Sequence, residues 1–183
     1  MTATPPRVLA FDTSGPWVAV CLAGDGTEVL QVEEMARGQA ERLFGLIGEV
    51  LAEAGLDYGA LDRIGVGTGP GNFTGLRIAV SAARGLALAL ETPAIGIGGL
   101  EALARAGLPA ALPAPRGRSY RPGPDGAPEL TGTPAPDLDP AALVRAIAEL
   151  AAEAEIPAPR PAPIYVRPAD AAPPADPPPR ILP

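Results

Sequence analysis

Between Arg7 and Met35, ahead of the first helical pattern, this chain reads as three successive strands. Arg7 to Ser14 (RVLAFDTS) is apolar at consecutive positions until it delivers Asp12, Thr13 and Ser14, the pattern of a strand buried on both faces. Gly15-Pro16 turns the chain into a second apolar run, Trp17 to Ala23 (WVAVCLA). Gly24-Asp25-Gly26 is then a hairpin signal before a third, more exposed strand, Thr27 to Met35. Two successive turns between neighbouring strands commit the domain to an antiparallel start.

The rest of the first hundred residues alternates. Between Gln39 and Ala54 the apolar residues Ala40, Leu43, Phe44, Ile47, Val50, Leu51 and Ala54 recur at helical spacing, with Glu41, Arg42, Glu49 and Glu53 outside and Gly55 as the stop. Arg63 to Gly67 is a short buried strand. Thr74 to Leu90 is a second helix with Leu76, Ala79, Val80, Ala83, Leu86, Ala87 and Leu90 on one stripe and Arg77, Ser81 and Arg84 on another. Ala94 to Gly98 and Leu100 to Ala106 add a fifth strand and a short helix. Three antiparallel strands followed by strands joined through helices predict an α/β fold of the ribonuclease-H-like or actin-like type, with a mixed five-stranded sheet. Residues 1–106 would form this N-terminal lobe.

Proline changes the texture after Gly107. Residues 107–167 read as a reduced, Pro-rich second lobe with one helix, opened by the cap Asp139-Pro140 and running to about Glu155. Arg116 to Tyr120 resembles a short strand and Pro163 to Val166 could add another. Residues 168–183 read as an extended or disordered tail.

The chain contains no histidine and no lysine, so all 14 basic residues are arginine. That excludes histidine acid–base chemistry, histidine metal sites, a P-loop lysine and Schiff-base chemistry. The single cysteine, Cys21, lies in an apolar run and reads as a small core residue. A net charge of −7 argues against gripping nucleic acid unaided. With no signal-like N-terminus and no long apolar run, a cytoplasmic chain without a membrane span is the expectation.

Chemistry would have to come from Asp12 and the glycine loop. A metal-dependent nuclease needs further carboxylates beside Asp12, and the end of the fourth strand offers only Gly67-Thr68-Gly69. The loop Gly69-Pro70-Gly71-Asn72 feeding a helix can bring backbone N–H groups to an anion, or can be a tight structural turn. It matches neither the P-loop nor the dinucleotide pattern. Asp12, Thr13, Ser14, Gly69, Gly71 and Asn72 are therefore candidates for a vestigial nucleotide or anion site. The two long helices present broad apolar faces that the shortened C-terminal part cannot both cover, which points to a partner. Leu43, Phe44, Ile47, Leu76, Ala79, Val80, Ala83, Arg84 and Ala87 are the candidate interface.

LAFDTSGPWVAVCL, AERLFGLIGEVLAEAG and GVGTGPGNFTGLRIAVSAARGLALALETPAIGIGGLEALA resemble the bacterial TsaB (YeaZ) family. The family's GPGSFTGLR-type loop stands here as Gly69 to Arg77, and PIYVRPADA (Pro163 to Ala171) is similar to its C-terminal P-x-Y-x-R-x-x-D-A segment. The resemblance implies an actin-like fold and a non-catalytic dimerisation subunit in the synthesis of N6-threonylcarbamoyladenosine in tRNA. Its implied partners are a TsaD-type transferase, a TsaE-type ATPase or a second copy, with tRNA met only through the complex. No cofactor is implied on this chain, ATP and metal belonging to the partner subunits. Three departures stand out: Gln39-Ala40-Glu41 lacks the family's helix-starting histidine, Pro113 to Tyr120 lacks the acidic residues of its D-A-R-R-G-E-V-Y strand, and the second lobe is shorter. The alternative from another class is a stand-alone actin-like nucleotide-binding ATPase.

Overall fold

A computed structural model describes residues 4–166 of the chain. The opening run folds as β1 (Val8–Asp12), β2 (Trp17–Gly24) and β3 (Thr27–Glu34), followed by α1 (Gln39–Glu53), β4 (Arg63–Gly67), α2 (Phe73–Leu90), β5 (Ala94–Ile97) and α3 (Gly99–Arg105). The sheet order is β3-β2-β1-β4-β5. β1 to β3 pair antiparallel, and β4 and β5 run parallel to β1. This is the mixed five-stranded sheet that the element order predicts.

Period-2 alternation divides the core. Leu9 and Phe11 of β1 and Val18, Val20 and Leu22 of β2 point to the face covered by α1 and α2. Val8, Ala10, Ala19 and Cys21 point to the other face. Burial pushes the Cys21 thiol up to about 12, with Glu28 adding to the effect. Arg42 on α1 donates to Glu33 on β3 at 2.7 and 2.6 Å and also to Glu49. These bonds hold both carboxyls below the usual range.

The boundary expected at residue 107 is redrawn by α4 (Pro140–Glu153). This helix does not belong to a second lobe. It packs with α3 on the open face of the first sheet, where Leu143, Val144, Ile147 and Ala151 meet Ala10, Ala19 and Cys21. Two features let it dock. A Cβ at Gly65 would lie 3.0 Å from that of Ala151, so glycine permits the close approach. One guanidinium nitrogen of Arg63 donates to the carbonyls of Ala151, Ala152 and Ala154 at 2.8 to 2.9 Å, closing the helix C-terminus. The second unit is a three-stranded antiparallel sheet of β6 (Leu112–Ala114), β7 (Arg118–Pro122) and β8 (Pro128–Thr131).

Pro163 to Val166 forms no strand. It belongs to an extended strap whose Ile164 amide donates to the Thr68 carbonyl at 2.8 Å. The tail at 168–183 lies outside the described residues. By length and mean hydropathy (1.4), α2 alone among the described helices is apolar enough to cross a membrane, contrary to the expectation of no such run. Its apolar stripe lies against the sheet, however, and Arg77 and Arg84 stand on another face of the helix.

Candidate functional site

The candidate residues of β1 and the glycine loop do come together. Asp12 is buried at the C-terminal end of β1, and its Oδ1 accepts three hydrogen bonds: from the Ser14 amide at 2.9 Å, the Ser14 hydroxyl at 2.8 Å and the Trp17 indole at 2.9 Å. Burial raises its carboxyl above the ordinary value, against those three bonds. A Cβ at Gly67 would sit 2.0 Å from Asp12 Oδ2. The glycine that denies this site a second carboxylate is thus what makes room for the first.

Thr13 and Ser14 touch the loop directly. The Asn72 amide donates to the Ser14 carbonyl at 2.7 Å, and the Thr13 hydroxyl donates to the Gly75 carbonyl at 2.7 Å. A Cβ at Gly71 would lie 2.6 Å from the Ser14 carbonyl oxygen, and one at Gly75 only 1.8 Å from that of Thr13. Asn72 is the N-cap of α2, its side chain accepting from the Gly75 amide at 2.9 Å. Asn72, not Thr74, therefore starts the helix. The Gly69 carbonyl accepts from Gly99 at 2.7 Å. The loop is built as a tight turn: the Asn72 amide is bonded to the Ser14 carbonyl of the β1 end and the Gly75 amide to the cap.

A cleft of about 310 Å³ opens beside this turn, lined by Ser14 to Trp17, Ala36, Gln39, Pro70 to Asn72 and Leu112 to Pro115. Gln39, the first residue of α1, is buried and donates to the Gly15 and Trp17 carbonyls at 2.7 and 2.8 Å. It pins the β1–β2 turn to α1. None of the lining residues is charged.

Most of the candidate interface is core. Leu43, Ile47, Leu76, Ala79, Val80 and Ala83 are all between 0 and 2% exposed. All but Leu76, which lies against Gly69 of the turn, meet the sheet because the stripe of an amphipathic helix first covers its own layer, and α1 and α2 have Leu9, Phe11, Val18 and Val20 beneath them. Ala87 is half-buried against the same core. Arg84 is half-buried and donates to the Pro161 carbonyl of the strap at 2.7 Å. Phe44 alone among these large apolar side chains is exposed, at 49%.

The outward face carries residues that sequence reading passed over. Leu88 is 84% exposed, and Gly48 and Gly85 have no heavy atom within 4 Å of where a side chain would begin. At 100° per residue, Phe73, Arg77, Ser81, Arg84 and Leu88 share an arc of about 80° on α2. An apolar residue on the polar side of a helical wheel is the signal that could have found Leu88.

Comparison with known proteins places this architecture. The family model for TsaD, tRNA N6-adenosine threonylcarbamoyltransferase, matches residues 31–117. The tRNA threonylcarbamoyladenosine biosynthesis protein TsaB of Escherichia coli is 35% identical over 99 residues, 54% of this chain and 43% of that protein. The chain thus spans less than half the length of this curated relative. YeaZ from Pseudomonas aeruginosa superposes with a TM-score of 0.59 and 32% identity, over 71% of this chain and 66% of that one. A second solved structure, described as an uncharacterized protein with similarity to peptidase YeaZ from Pseudomonas aeruginosa, gives 0.58 and 30% identity over 73% and 71%.

Proposed function

The chain belongs to the TsaB (YeaZ) family, and from that premise we propose that it is a non-catalytic subunit of the cytoplasmic machinery that makes threonylcarbamoyladenosine in tRNA, docking through α1 and α2 onto a TsaD-type transferase. One observation carries the reading. The stretch that matches the transferase family, residues 31–117, contains both helices, and their outward faces hold exposed Phe44 and Leu88 beside the bare backbone of Gly48 and Gly85. Two chains that share a helix pair can meet about a pseudo-twofold axis, each presenting the equivalent patch. Bare glycines let a partner helix come close, and exposed large apolar side chains supply the anchors.

The chemistry then rests with the partners. The absence of histidine and lysine, and the bonding of Asp12 Oδ1 to its own neighbours, support a chain that leaves acid–base and phosphate chemistry to them. ATP, metal and the TsaE-type ATPase join through the transferase, and tRNA is met only in the complex.

Leu88→Glu and Phe44→Glu should abolish co-purification with a TsaD-type subunit and modification in a reconstituted system. The melting temperature should move by only about 2 °C, because both side chains are exposed. Leu43→Glu and Ala83→Glu are unsuitable for this purpose, since both side chains are fully buried and a charge there breaks the core. Pairing and modification intact in both exposed variants would overturn the docking face.

A further inference from the structure

The segments GPGNFTGLR and PIYV (Pro163 to Val166), far apart in sequence, meet at the start of α2. Phe73 and Tyr165 stack with ring centroids 5.0 Å apart. The Arg77 guanidinium lies 4.0 Å over the Phe73 ring and its Nε donates to the Tyr165 hydroxyl at 3.2 Å. Despite these mutual contacts Phe73 stays 41% and Tyr165 43% exposed. The strap that brings Tyr165 here is anchored twice, by the Ile164 amide on Thr68 and by Arg84 on the Pro161 carbonyl. Pro161 lies beside Arg84 and Tyr165 beside Arg77, so the strap runs along α2 in the opposite direction.

The edge carries arginines with which no described carboxylate pairs, and the same holds of Arg37, Arg63, Arg116, Arg118 and Arg121 elsewhere on the molecule. Arg7, Arg42, Arg105 and Arg145 are each paired with a carboxylate. Among the described residues no carboxylate pairs with Arg77, Arg84 or Arg160. Two of them, Arg77 and Arg84, stand on one edge of α2, Arg77 beside two exposed aromatic rings. The edge is continuous with Leu88, which shares its arc with Phe73 and Arg77.

We propose that the strap is the third element of the docking face, and that the Phe73–Arg77–Tyr165 cluster seats an acidic side chain of the transferase-type partner. The inference rests on the pairing read above. A guanidinium stacked on one ring and held by a phenol is preorganised, so little side-chain entropy is lost when a carboxylate pairs with it. Aromatic and arginine side chains together are what energetically dominant interface positions are made of. RNA is the weaker occupant, because the field of a strongly acidic chain opposes phosphate.

The test measures affinity of the full chain for a purified TsaD-type subunit at low and high salt, for the wild type, Arg77→Gln, Tyr165→Ala, Tyr165→Phe and Leu88→Glu. Arg77→Gln and Tyr165→Ala should each weaken binding roughly tenfold or more, with unchanged melting curves. Arg77→Gln should also remove most of the salt dependence. Tyr165→Phe, which keeps the ring, should lose less than Tyr165→Ala. If Leu88→Glu destroys pairing while Arg77→Gln and Tyr165→Ala stay within twofold of wild type, the strap has no part in docking. If all of these variants pair normally, the docking face itself is wrong. A defect confined to tRNA binding by the assembled complex would also overturn the proposal.

Discussion

The three bonds that converge on Asp12 Oδ1 come from residues within five positions of it. The side chain is therefore a connector between β1, the turn and β2. Two substitutions separate this role from ligand binding. Asp12→Ala leaves the indole N–H and the Ser14 amide without acceptors and should cost about 3 kcal/mol. Asp12→Asn keeps an acceptor oxygen at that place, so it should stay within about 1 kcal/mol of the wild type at neutral pH. The pH arm has a definite sign. The folded-state carboxyl is raised above the ordinary 3.8, so folding takes up a proton between the two values. The wild type should gain stability relative to Asp12→Asn as the pH falls through the folded value. Glu33 and Glu49, lowered by Arg42, act oppositely and lose their contribution on acidification in both proteins. Urea unfolding at neutral and mildly acidic pH measures both effects. A stability difference that did not vary with pH would contradict the assignment.

Among the elements, α4 decides whether the sheet has one covered face or two. Arg63 acts on it from β4 by donating to three carbonyls at its end, whereas Arg145 meets Glu28 across an exposed surface. Arg63→Met should therefore cost about 2 kcal/mol and Arg145→Met well under 1, read from thermal melts. Equal losses would show that the cap adds nothing beyond a surface ion pair. The same helix shows where sequence reading stops. β1 to β5, α1 and α2 were legible because period-2 and period-3.6 patterns, a hairpin signal and helix stops are local. The length and cap of α4 were also legible, but its partner was not. Nothing near residue 147 says that its stripe belongs to Ala10 and Cys21, more than a hundred positions away. The site followed the same rule. Asp12 and the loop were found because strand ends and glycines mark themselves, whereas the interface was assigned to the buried stripe because amphipathicity identifies a face without saying what covers it.

At the scale of the molecule, the question that separates a scaffold from an actin-like ATPase is whether the cleft beside the glycine turn can hold a nucleotide. Its walls are Pro16, Pro70, Pro113, Pro115 and Trp17, and no arginine lines it. Asn72 and Gly75 have spent their amides on Ser14 and on the cap. A polyanion entering there would surrender its hydration without gaining a side-chain cation, an exchange that does not favour binding. The β6–β8 sheet, contributing Leu112 to Pro115, closes one side with apolar surface where a nucleotide-clamping lobe would need polar groups. Titration of the isolated chain with ATP and magnesium should accordingly give no saturable heat at millimolar nucleotide, and Asp12→Asn should titrate like the wild type. A saturable signal in the micromolar range, lost in Asp12→Ala at a temperature where that variant is still folded, would instead establish the cleft as a working nucleotide site. The inert outcome, combined with the loss of pairing in Leu88→Glu, would leave the outward helix face as the surface through which this chain acts.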